Sequence, residues 1–194
     1  MAGDFTARVS PMPQFLIRPV FPADHAAISD LLRSAYGLQM QRVYPEALVR
    51  QAVPILTRSA PTLLFGGRYY LAEVGEDVLG IAGWSDISPF GRTCPLGHAH
   101  LRHLAVAPDW QGRGIGRALL EHLKVTAGRA GVHRLHCLCP LNAVPFCTAG
   151  GFQSMGEVVL GLSPEVSLPA AQMCHELEQG IAPRPEVIEA GATL

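Results

Sequence analysis

The stretch from His98 to Gly116 reads HAHLRHLAVAPDWQGRGIG and predicts a buried strand, a tight turn and a glycine-rich loop that opens a helix. The apolar run 104–107 is typical of a strand covered on both faces, and the Pro-Asp pair after it favours a turn. Because Gly112, Gly114 and Gly116 carry no Cβ, several backbone N–H groups of the first helical turn can point at one anion. The positive end of the helix dipole adds to this attraction. The stretch therefore predicts a binding site for a pyrophosphate.

The spacing of the glycines excludes two common kinds of phosphate-binding loop. A dinucleotide fingerprint that starts at Gly112 requires a third glycine at position 117, where the chain has Arg117. A nucleoside-triphosphate loop requires Gly-Lys followed by Ser or Thr, and the sequence contains no such tripeptide. The remaining hexapeptide, QGRGIG at 111–116, resembles the Gln/Arg-x-x-Gly-x-Gly/Ala signature of the GCN5-related N-acetyltransferases. In that family the loop holds the pyrophosphate of acetyl-coenzyme A.

A second segment strengthens this resemblance. Residues 141–152 read LNAVPFCTAGGF and are similar to the family's later segment, in which Asn-Ala is followed by an aromatic residue, a tyrosine and a final Gly-Phe. One amphipathic helix connects the two segments, because apolar residues recur every four positions until Gly131 ends the pattern. These apolar positions are Ile115, Leu119, Leu123 and Ala127.

The composition is compatible with one globular domain. A chain of 194 residues with 48% hydrophobic residues can bury a sizeable core, and its net charge of −1 does not indicate nucleic acid or an anionic membrane as a partner. No apolar run approaches the roughly 18 residues that span a bilayer, and the N-terminus lacks the apolar core of a signal peptide, so we expect a cytoplasmic protein. The resemblance covers a domain at 15–178, with a flexible tail at 1–14 and another at 179–194.

The five cysteines include no CxxC pair and are odd in number, which argues against a disulfide framework and a structural zinc site. Cys137 and Cys139 fall on one face of a strand predicted at 133–141 and are interpreted as core residues. The histidines of the 98–116 stretch lack a carboxylate or thiol at ligand spacing. We therefore expect no bound metal.

The resemblance implies an α/β fold, the GNAT acyl-CoA N-acyltransferase fold, with a mixed central sheet of about six to seven strands, flanking helices and a splayed cofactor cleft. Hydrophobic periodicity and turn residues predict the other elements. The expected strands, besides the cofactor strand, are 16–20, 68–74, 78–85, 133–141, 152–160 and 170–177. The expected helices begin at 22–24, with Ile28, Leu31, Leu32 and Ala35 on one face, and at Tyr44, ending at Val53. Residues 54–67 are expected to form a loop with helical turns, and residues 86–97 a loop.

The resemblance also implies which positions bind the cofactor. The cofactor strand is expected to hold the rest of the carrier molecule and to donate a backbone N–H to the developing oxyanion. Asn142 is expected to contact the pantetheine arm, although a helix-capping role accounts for it without a ligand. The expected cofactor-binding residues are Leu104, Ala105, Val106, Gln111, Gly112, Arg113, Gly114, Ile115, Gly116 and Asn142.

Acetyl transfer to an amine requires a base, because an amine with a pKa of about 10 is mostly protonated at neutral pH. His100 is the first candidate, since it lies where many relatives carry Glu and where the similar arylalkylamine N-acetyltransferases carry His. Its ordinary pKa of about 6.5 suits proton removal at pH 7. Two-residue alternation places His98 on the same face as His100 and His103 on the opposite face. His98 is a weaker candidate for the base, and His103 is interpreted as a structural residue. Glu73 and Asp86 are alternative candidates for the base. A solvent-exposed position accounts for Glu73 without a catalytic role, and a turn hydrogen bond accounts for Asp86.

The proton donor to the departing thiolate is where the chain leaves the family pattern. Relatives usually carry Tyr after the aromatic residue, whereas Phe146 is followed here by Cys147. Cys147 can be the acid, although a thiol is a weaker hydrogen-bond donor than a phenol. Alternatively, water or one of Tyr44, Tyr69 and Tyr70 replaces it, or catalysis is slow or absent. An acyl-cysteine intermediate on Cys147 would need an activating base, and the sequence supplies none beside it. Cys147 can also be a small helix residue near the CoA sulfur with no chemical role.

These features predict an enzyme that moves an acetyl group from acetyl-CoA to an amine by direct attack in a ternary complex. A non-catalytic acyl-CoA-binding sensor or pseudoenzyme is the alternative, and Cys147 in the tyrosine position supports it. A nucleotide-binding protein that uses the same glycines is a second alternative. The expected partners are acetyl-CoA and an unidentified amine, with no nucleic acid and no membrane, and a homodimer is left open. We expect the acceptor pocket between the loop 86–97 and the first two helices.

Overall fold

A seven-stranded mixed sheet runs through the computed structural model, which describes residues 14–58 and 60–177. The strands follow the order β1-β2-β3-β4-β5-β7-β6, and within the described residues only β4 and β5 pair in parallel. The strands are β1 Leu16–Pro19, β2 Tyr69–Val74, β3 Asp77–Ser85, β4 His98–Val106, β5 Arg134–Pro140, β6 Gln153–Ser163 and β7 Val166–Glu176. The predicted α/β fold with a mixed sheet is confirmed. The tails predicted at 1–14 and 179–194 lie, apart from Gln14, outside the described residues.

Five α-helices flank this sheet in the described part of the chain. They are α1 His25–Met40, α2 Glu46–Leu56, α3 Pro61–Leu64, α4 Ile115–Arg129 and α5 Val144–Ala149. Short 3-10 turns stand at Pro22–Asp24, Pro108–Trp110 and Leu141–Ala143. None of the helices in residues 14–58 and 60–177 is both long and apolar enough to span a bilayer.

The two long helices α1 and α4 cover opposite faces of the sheet. Alternate residues of a strand face opposite sides, and on β3 Ile81 packs with α1 whereas Ala82 packs with α4. All four apolar residues predicted on each helix face are buried: Ile28, Leu31, Leu32 and Ala35 of α1, and Ile115, Leu119, Leu123 and Ala127 of α4. Helical periodicity therefore predicted both packing faces correctly.

Helix α2 and the last two strands differ in their bounds from the sequence prediction. Helix α2 continues through Pro54 to Leu56, because a proline near the end of a helix removes only one backbone hydrogen bond. The segment predicted as a loop with helical turns contains α3, a single turn of helix, as expected. The last two strands are longer than predicted, since β6 and β7 pair with each other along almost their whole length through a tight turn.

A β-bulge in β4 reverses the alternation of its side chains. Ala82 pairs with Leu104 but Trp84 pairs with Leu101, so β4 has one extra residue between these two pairs. Before the bulge Leu101 packs on the α4 side, whereas after it Ala105 packs on the α1 side. The expectation that His103 faces away from His98 and His100 is therefore wrong, because strict alternation does not continue through a bulge.

His103 is a buried structural histidine, as predicted. Its Nδ1 lies 3.1 Å from the Tyr69 hydroxyl and its Nε2 lies 3.1 Å from the Leu56 carbonyl oxygen. A carbonyl can only accept, so Nε2 carries the proton and Nδ1 accepts from Tyr69. Burial, with the nearby charge of Arg102, lowers the pKa of His103 to about 4.

We expect His103 to make folding stability depend on pH. Its pKa in the folded protein lies below the ordinary value of about 6.5, so it contributes nothing above that pH. As pH falls from about 6.5 towards 4, the unfolded chain takes up a proton that the folded one does not, and stability falls by up to about 3 kcal/mol.

Urea unfolding at several pH values measures this effect. In His103→Gln the free energy of unfolding should depend less on pH over this range, by one proton equivalent. The variant is also less stable than the wild type at pH 7, because the hydrogen bond from Tyr69 is perturbed. The exposed His25→Gln is the matched control and should keep the wild-type slope. An unchanged slope in His103→Gln would contradict the assignment.

Candidate active site

Strands β4 and β5 diverge after three paired positions. Residues 98–100 of β4 pair with 134–136 of β5, and beyond them the two strands continue without pairing to each other. The loss of pairing leaves one edge of β4 open along its C-terminal half. A cleft of about 370 Å³ opens there between the strands. The splayed cleft that the resemblance implied is present.

Backbone groups of β4 face this cleft without a sheet partner. The Ala107 N–H donates to the Leu79 carbonyl of β3 at 2.8 Å, so alternation turns Ala105 towards β3 and turns Leu104 and Val106 towards the cleft. The Val106 carbonyl accepts a bond from the Gln111 side chain at 3.3 Å. The Val106 N–H group can therefore bind an extended ligand that carries amide groups, as an added strand does.

The glycine loop supplies a row of free amides at one end of the cleft. Gly112 and Gly114 have φ angles of 73° and 80°, which favour glycine, and Gly114 is the N-cap of α4. Among residues 14–58 and 60–177, none accepts a hydrogen bond from the backbone N–H groups of 112–117. Such a row at a helix N-terminus binds phosphate groups. The protein itself does not cap the amides, as the pyrophosphate prediction requires.

A Cβ at Gly116 would lie 3.3 Å from the Phe146 ring and 3.4 Å from Val106, so the helix start packs tightly against the cleft wall. Most of the expected cofactor positions line the cleft. Those in its wall are Leu104, Ala105, Val106, Gln111, Gly112, Gly114, Ile115, Gly116 and Asn142. Arg113 is not among them, because its guanidinium stacks over the Trp110 ring at 4.7 Å. Its backbone amide remains part of the free row.

Asn142 does not cap a helix. It lies inside the 3-10 turn Leu141–Ala143, and neither that turn nor α5 has a side-chain cap. Its Oδ1 is buried with no hydrogen-bond partner among the described residues. A buried amide oxygen without a partner costs free energy, which a ligand N–H in the cleft would recover. The capping interpretation is therefore wrong.

His100 is the last residue of β4 that pairs with β5. It pairs with His136, and the centroids of the two rings are 5.4 Å apart. It does not line the cleft, although Leu101 beside it does. Its Nδ1 is buried and has no hydrogen-bond partner in the described part of the chain. Burial, followed by repulsion from His136 and Arg102, lowers the pKa of His100 to about 4. The side chain is therefore neutral at pH 7 but less basic than the sequence suggested.

Cys147 is buried in the wall of the cleft. The Cys139 thiol donates to its sulfur at 3.5 Å, and Cys137 lies beside both. Hydrogen bonds from Cys137 and Cys139 lower the pKa of Cys147, while the pKa values of the other two thiols are raised. The structure thus places Cys147 in the wall of the cleft, inside a cluster of three thiols.

The tyrosine that reaches the cleft is Tyr36 of α1, which the sequence analysis missed. Burial raises the pKa of its hydroxyl, the nearby Cys137 raises it further, and a hydrogen bond from the Leu104 backbone opposes the shift. Tyr36 follows Leu32 by one helical turn, and this spacing on the buried face was the signal available in the sequence.

The three tyrosines considered from the sequence are engaged elsewhere. Tyr44 donates to the Pro169 carbonyl at 2.6 Å and accepts from the Leu141 N–H. Tyr69 binds His103, and Tyr70 contacts the Gly67 carbonyl at 3.4 Å. Among the described residues, none of the three lines the cleft.

The two alternative bases are held in ion pairs away from the cleft. Glu73 lies 2.9 Å from the Arg18 guanidinium. Asp86 lies 2.7 Å from Arg68, whose hydrogen bond lowers the pKa of that carboxyl. The carboxylate of Asp86 therefore makes an ion pair and not the turn hydrogen bond that was expected.

A second cavity of about 440 Å³ borders the loop after β3. Residues 86–91 of that loop, with α3 and Trp84, form most of its wall. Helix α1, which was expected to border the acceptor, lines the first cleft instead. Arg102 lines both cavities, and its Nη1 is buried with no partner in the described ranges.

Comparison with solved structures shows the same fold. A GCN5-related N-acetyltransferase from Rhodopseudomonas palustris superposes with a TM-score of 0.71 at 21% identity, covering 86% of this chain and 98% of the other. The PaiA N-acetyltransferase from Thermoplasma acidophilum, in complex with coenzyme A, has a TM-score of 0.60 at 15% identity over 84% and 99% of the two chains. The ribosomal-protein-S18-alanine N-acetyltransferase from Escherichia coli has a TM-score of 0.57 at 19% identity over 84% and 94%.

Sequence comparison identifies a domain within the chain. No curated protein matches the chain significantly. Residues 65–154 match the family model described as an acetyltransferase (GNAT) domain. That range contains β4, the glycine loop, α4 and the Asn142 segment, which together build the cleft. This part of the chain is identified as an acetyltransferase (GNAT) domain.

Proposed function

We propose that this protein transfers an acetyl group from acetyl-CoA to an amine by direct attack in a ternary complex. The observation that supports this most is the row of free amides at 112–117, which continues into the unpaired edge of β4. A pyrophosphate on the amides and a pantetheine arm along β4 would satisfy both sets of backbone groups. Asn142 would accept a hydrogen bond from the same arm.

The tetrahedral intermediate needs a donor for its oxyanion and a route for the proton of the amine. The Val106 N–H is the candidate donor, because it faces the cleft from a rigid strand, whereas the Leu104 N–H donates to the Tyr36 hydroxyl. His100 is the proposed base. His100 does not line the cleft, although its neighbour Leu101 does, and its Nδ1 lacks a hydrogen-bond partner among the described residues. It would therefore act through a water molecule.

Two side chains of the cleft can donate to the departing thiolate. Cys147 occupies the position where relatives usually have tyrosine, and Tyr36 enters from the opposite wall. A phenol is the stronger donor, and the raised pKa keeps the Tyr36 hydroxyl protonated. We therefore expect Tyr36→Phe to lower kcat by about tenfold, equivalent to one hydrogen bond of about 1.4 kcal/mol.

The comparison variant for this prediction is Cys147→Ala, which removes the other donor. Steady-state kinetics on both variants separates kcat from the KM for acetyl-CoA. A larger fall of kcat in Cys147→Ala than in Tyr36→Phe would assign the role to the thiol and contradict the assignment to Tyr36.

The second cavity is the proposed entrance for the acceptor. It meets the cleft at Arg102, whose buried Nη1 has no partner in residues 14–58 and 60–177. A guanidinium with a free Nη1 repels a protonated amine but binds a carboxylate strongly. This arrangement favours an acceptor that carries a carboxylate close to its amine.

The test incubates the full chain with acetyl-CoA and amines in matched pairs, each with and without a carboxylate. Chromatography follows the conversion of acetyl-CoA to CoA, because a thiol reagent would also react with the protein's five cysteines. Turnover with an amine supports the enzyme, and a preference for carboxylated acceptors that is lost in Arg102→Gln supports the assignment of the cavity.

A non-catalytic acyl-CoA-binding protein is the second candidate, and Cys147 in the tyrosine position favours it. Tight binding of acetyl-CoA with no product from any amine would support this candidate. Stabilisation of the protein by nucleotides but not by CoA in thermal unfolding would contradict both.

A further inference from the structure

Three cysteine sulfur atoms meet in the wall of the cleft. The Sγ atoms of Cys137, Cys139 and Cys147 all lie within 4.8 Å of one another, and the Cys139–Cys147 distance is 3.5 Å. The three residues are 7%, 1% and 3% exposed. All three line the cleft, so a small ion can reach them from its open side.

The fold and not the sequence spacing creates this cluster. Cys137 and Cys139 are two residues apart on β5 and therefore face the same side. The turn at Leu141–Ala143 then brings α5 back over that face, which places Cys147 against them. The cysteine spacing, without a CxxC pair, predicted no metal site because it could not show this approach.

The separations suit a soft cation. A zinc–sulfur bond of about 2.3 Å puts the sulfur atoms of a trigonal or tetrahedral site about 3.8–4.0 Å apart. Small changes of side-chain torsion bring sulfurs that are already within 4.8 Å to this separation. Thiolates select thiophilic ions of d10 configuration over magnesium or calcium.

We propose that Cys137, Cys139 and Cys147 form a binding site for a thiophilic d10 cation such as Zn²⁺, with its fourth position open to the cleft. Each metal–sulfur bond forms to a thiolate, so every thiol of the cluster that is still protonated loses its proton to solvent when one ion binds. Three thiolates and Zn²⁺ carry a net charge of −1, and water completes the coordination.

The site also has a consequence that rests on the proposed function. Its ion would occupy the part of the cleft between β4 and β5 where the thioester of acetyl-CoA would lie. Metal and acetyl-CoA should therefore compete, and each should weaken the apparent affinity of the other.

Titration of the reduced full chain with Cd²⁺ tests the site directly. We expect a saturable thiolate-to-metal charge-transfer band at one ion per chain, release of protons, and displacement of the band by Zn²⁺. Cys147→Ala and Cys139→Ala, each checked for folding by circular dichroism, should each weaken binding at least about 100-fold. The double variant Cys94→Ser/Cys174→Ser removes the two described cysteines outside the cluster and should bind like the wild type.

Three results would overturn the proposal: no saturable band, a band that survives in both alanine variants, or a band that the Cys94/Cys174 variant loses. Repeating the titration with acetyl-CoA present, which has no free thiol to bind Cd²⁺, separates the two proposals. If acetyl-CoA neither binds nor shifts the titration while the band remains, the acetyltransferase proposal fails and the metal site stands.

Discussion

Replacing Gly112 by valine is expected to lower the affinity for CoA by about 100-fold, or about 2.7 kcal/mol. The backbone at Gly112 has a φ of 73°, which a β-branched residue adopts only with strain of about 1–2 kcal/mol. No atom lies within 4 Å of the position of an added Cβ, so the valine side chain meets open space beside the glycine loop. A valine there would displace a pyrophosphate and tilt the amides that hold it. Calorimetric titration with CoA measures the loss.

The matched control is Gly131→Val at the other end of α4. Gly131 has a φ of 82° and also has nothing within 4 Å of an added Cβ. Both variants therefore carry similar backbone strain and should lose similar thermal stability, but only Gly112→Val should lose CoA affinity. Equal affinity in Gly112→Val and in the wild type would show that the loop does not hold the pyrophosphate.

Replacing His100 by glutamine is expected to lower kcat/KM by about 100-fold, the usual contribution of a general base. Glutamine keeps a polar side chain of similar length but cannot take up a proton. The affinity for CoA should change little, because His100 lies outside the cleft wall. His98→Gln is the matched control two residues away on the same face.

The pH profile gives a second test of His100. Its pKa of about 4 means that the imidazole stays unprotonated across the range of an ordinary assay, so it adds no limb at about pH 6.5. The acid limb of kcat/KM should follow the pKa of the acceptor amine and move when an amine of different pKa is used. A limb that stays at about pH 6.5 with every amine would contradict this assignment.

Local sequence patterns predicted the elements that depend on neighbouring residues. The buried faces of α1 and α4 follow from a period of 3.6 residues, which every turn of a helix repeats. The free amides of the loop 112–116 follow from glycines at every second position, because these amides belong to a few consecutive residues at the start of a helix. For this reason the amino acids of 98–116 are enough to carry the resemblance to the family.

Predictions that depended on side chains from distant segments were less successful. Tyr36 was missed because only the tertiary structure brings α1 over the gap between β4 and β5. His103 was assigned to the wrong face because a bulge reverses alternation and leaves no pattern in the sequence. From the sequence, the side chain of Asn142 was interpreted as a helix cap. The structure shows that its Oδ1 is buried without a hydrogen-bond partner among the described residues, and this observation indicates a ligand.

By itself, the sequence determined where the row of free amides lies, because free amides at a helix start are a property of consecutive residues. Only the tertiary structure decided what surrounds that position. The gap exists because β4 and β5 part after three pairs, and the side chains that enter it come from α1, β5 and α5. Their meeting depends on how distant elements pack, which no local pattern contains.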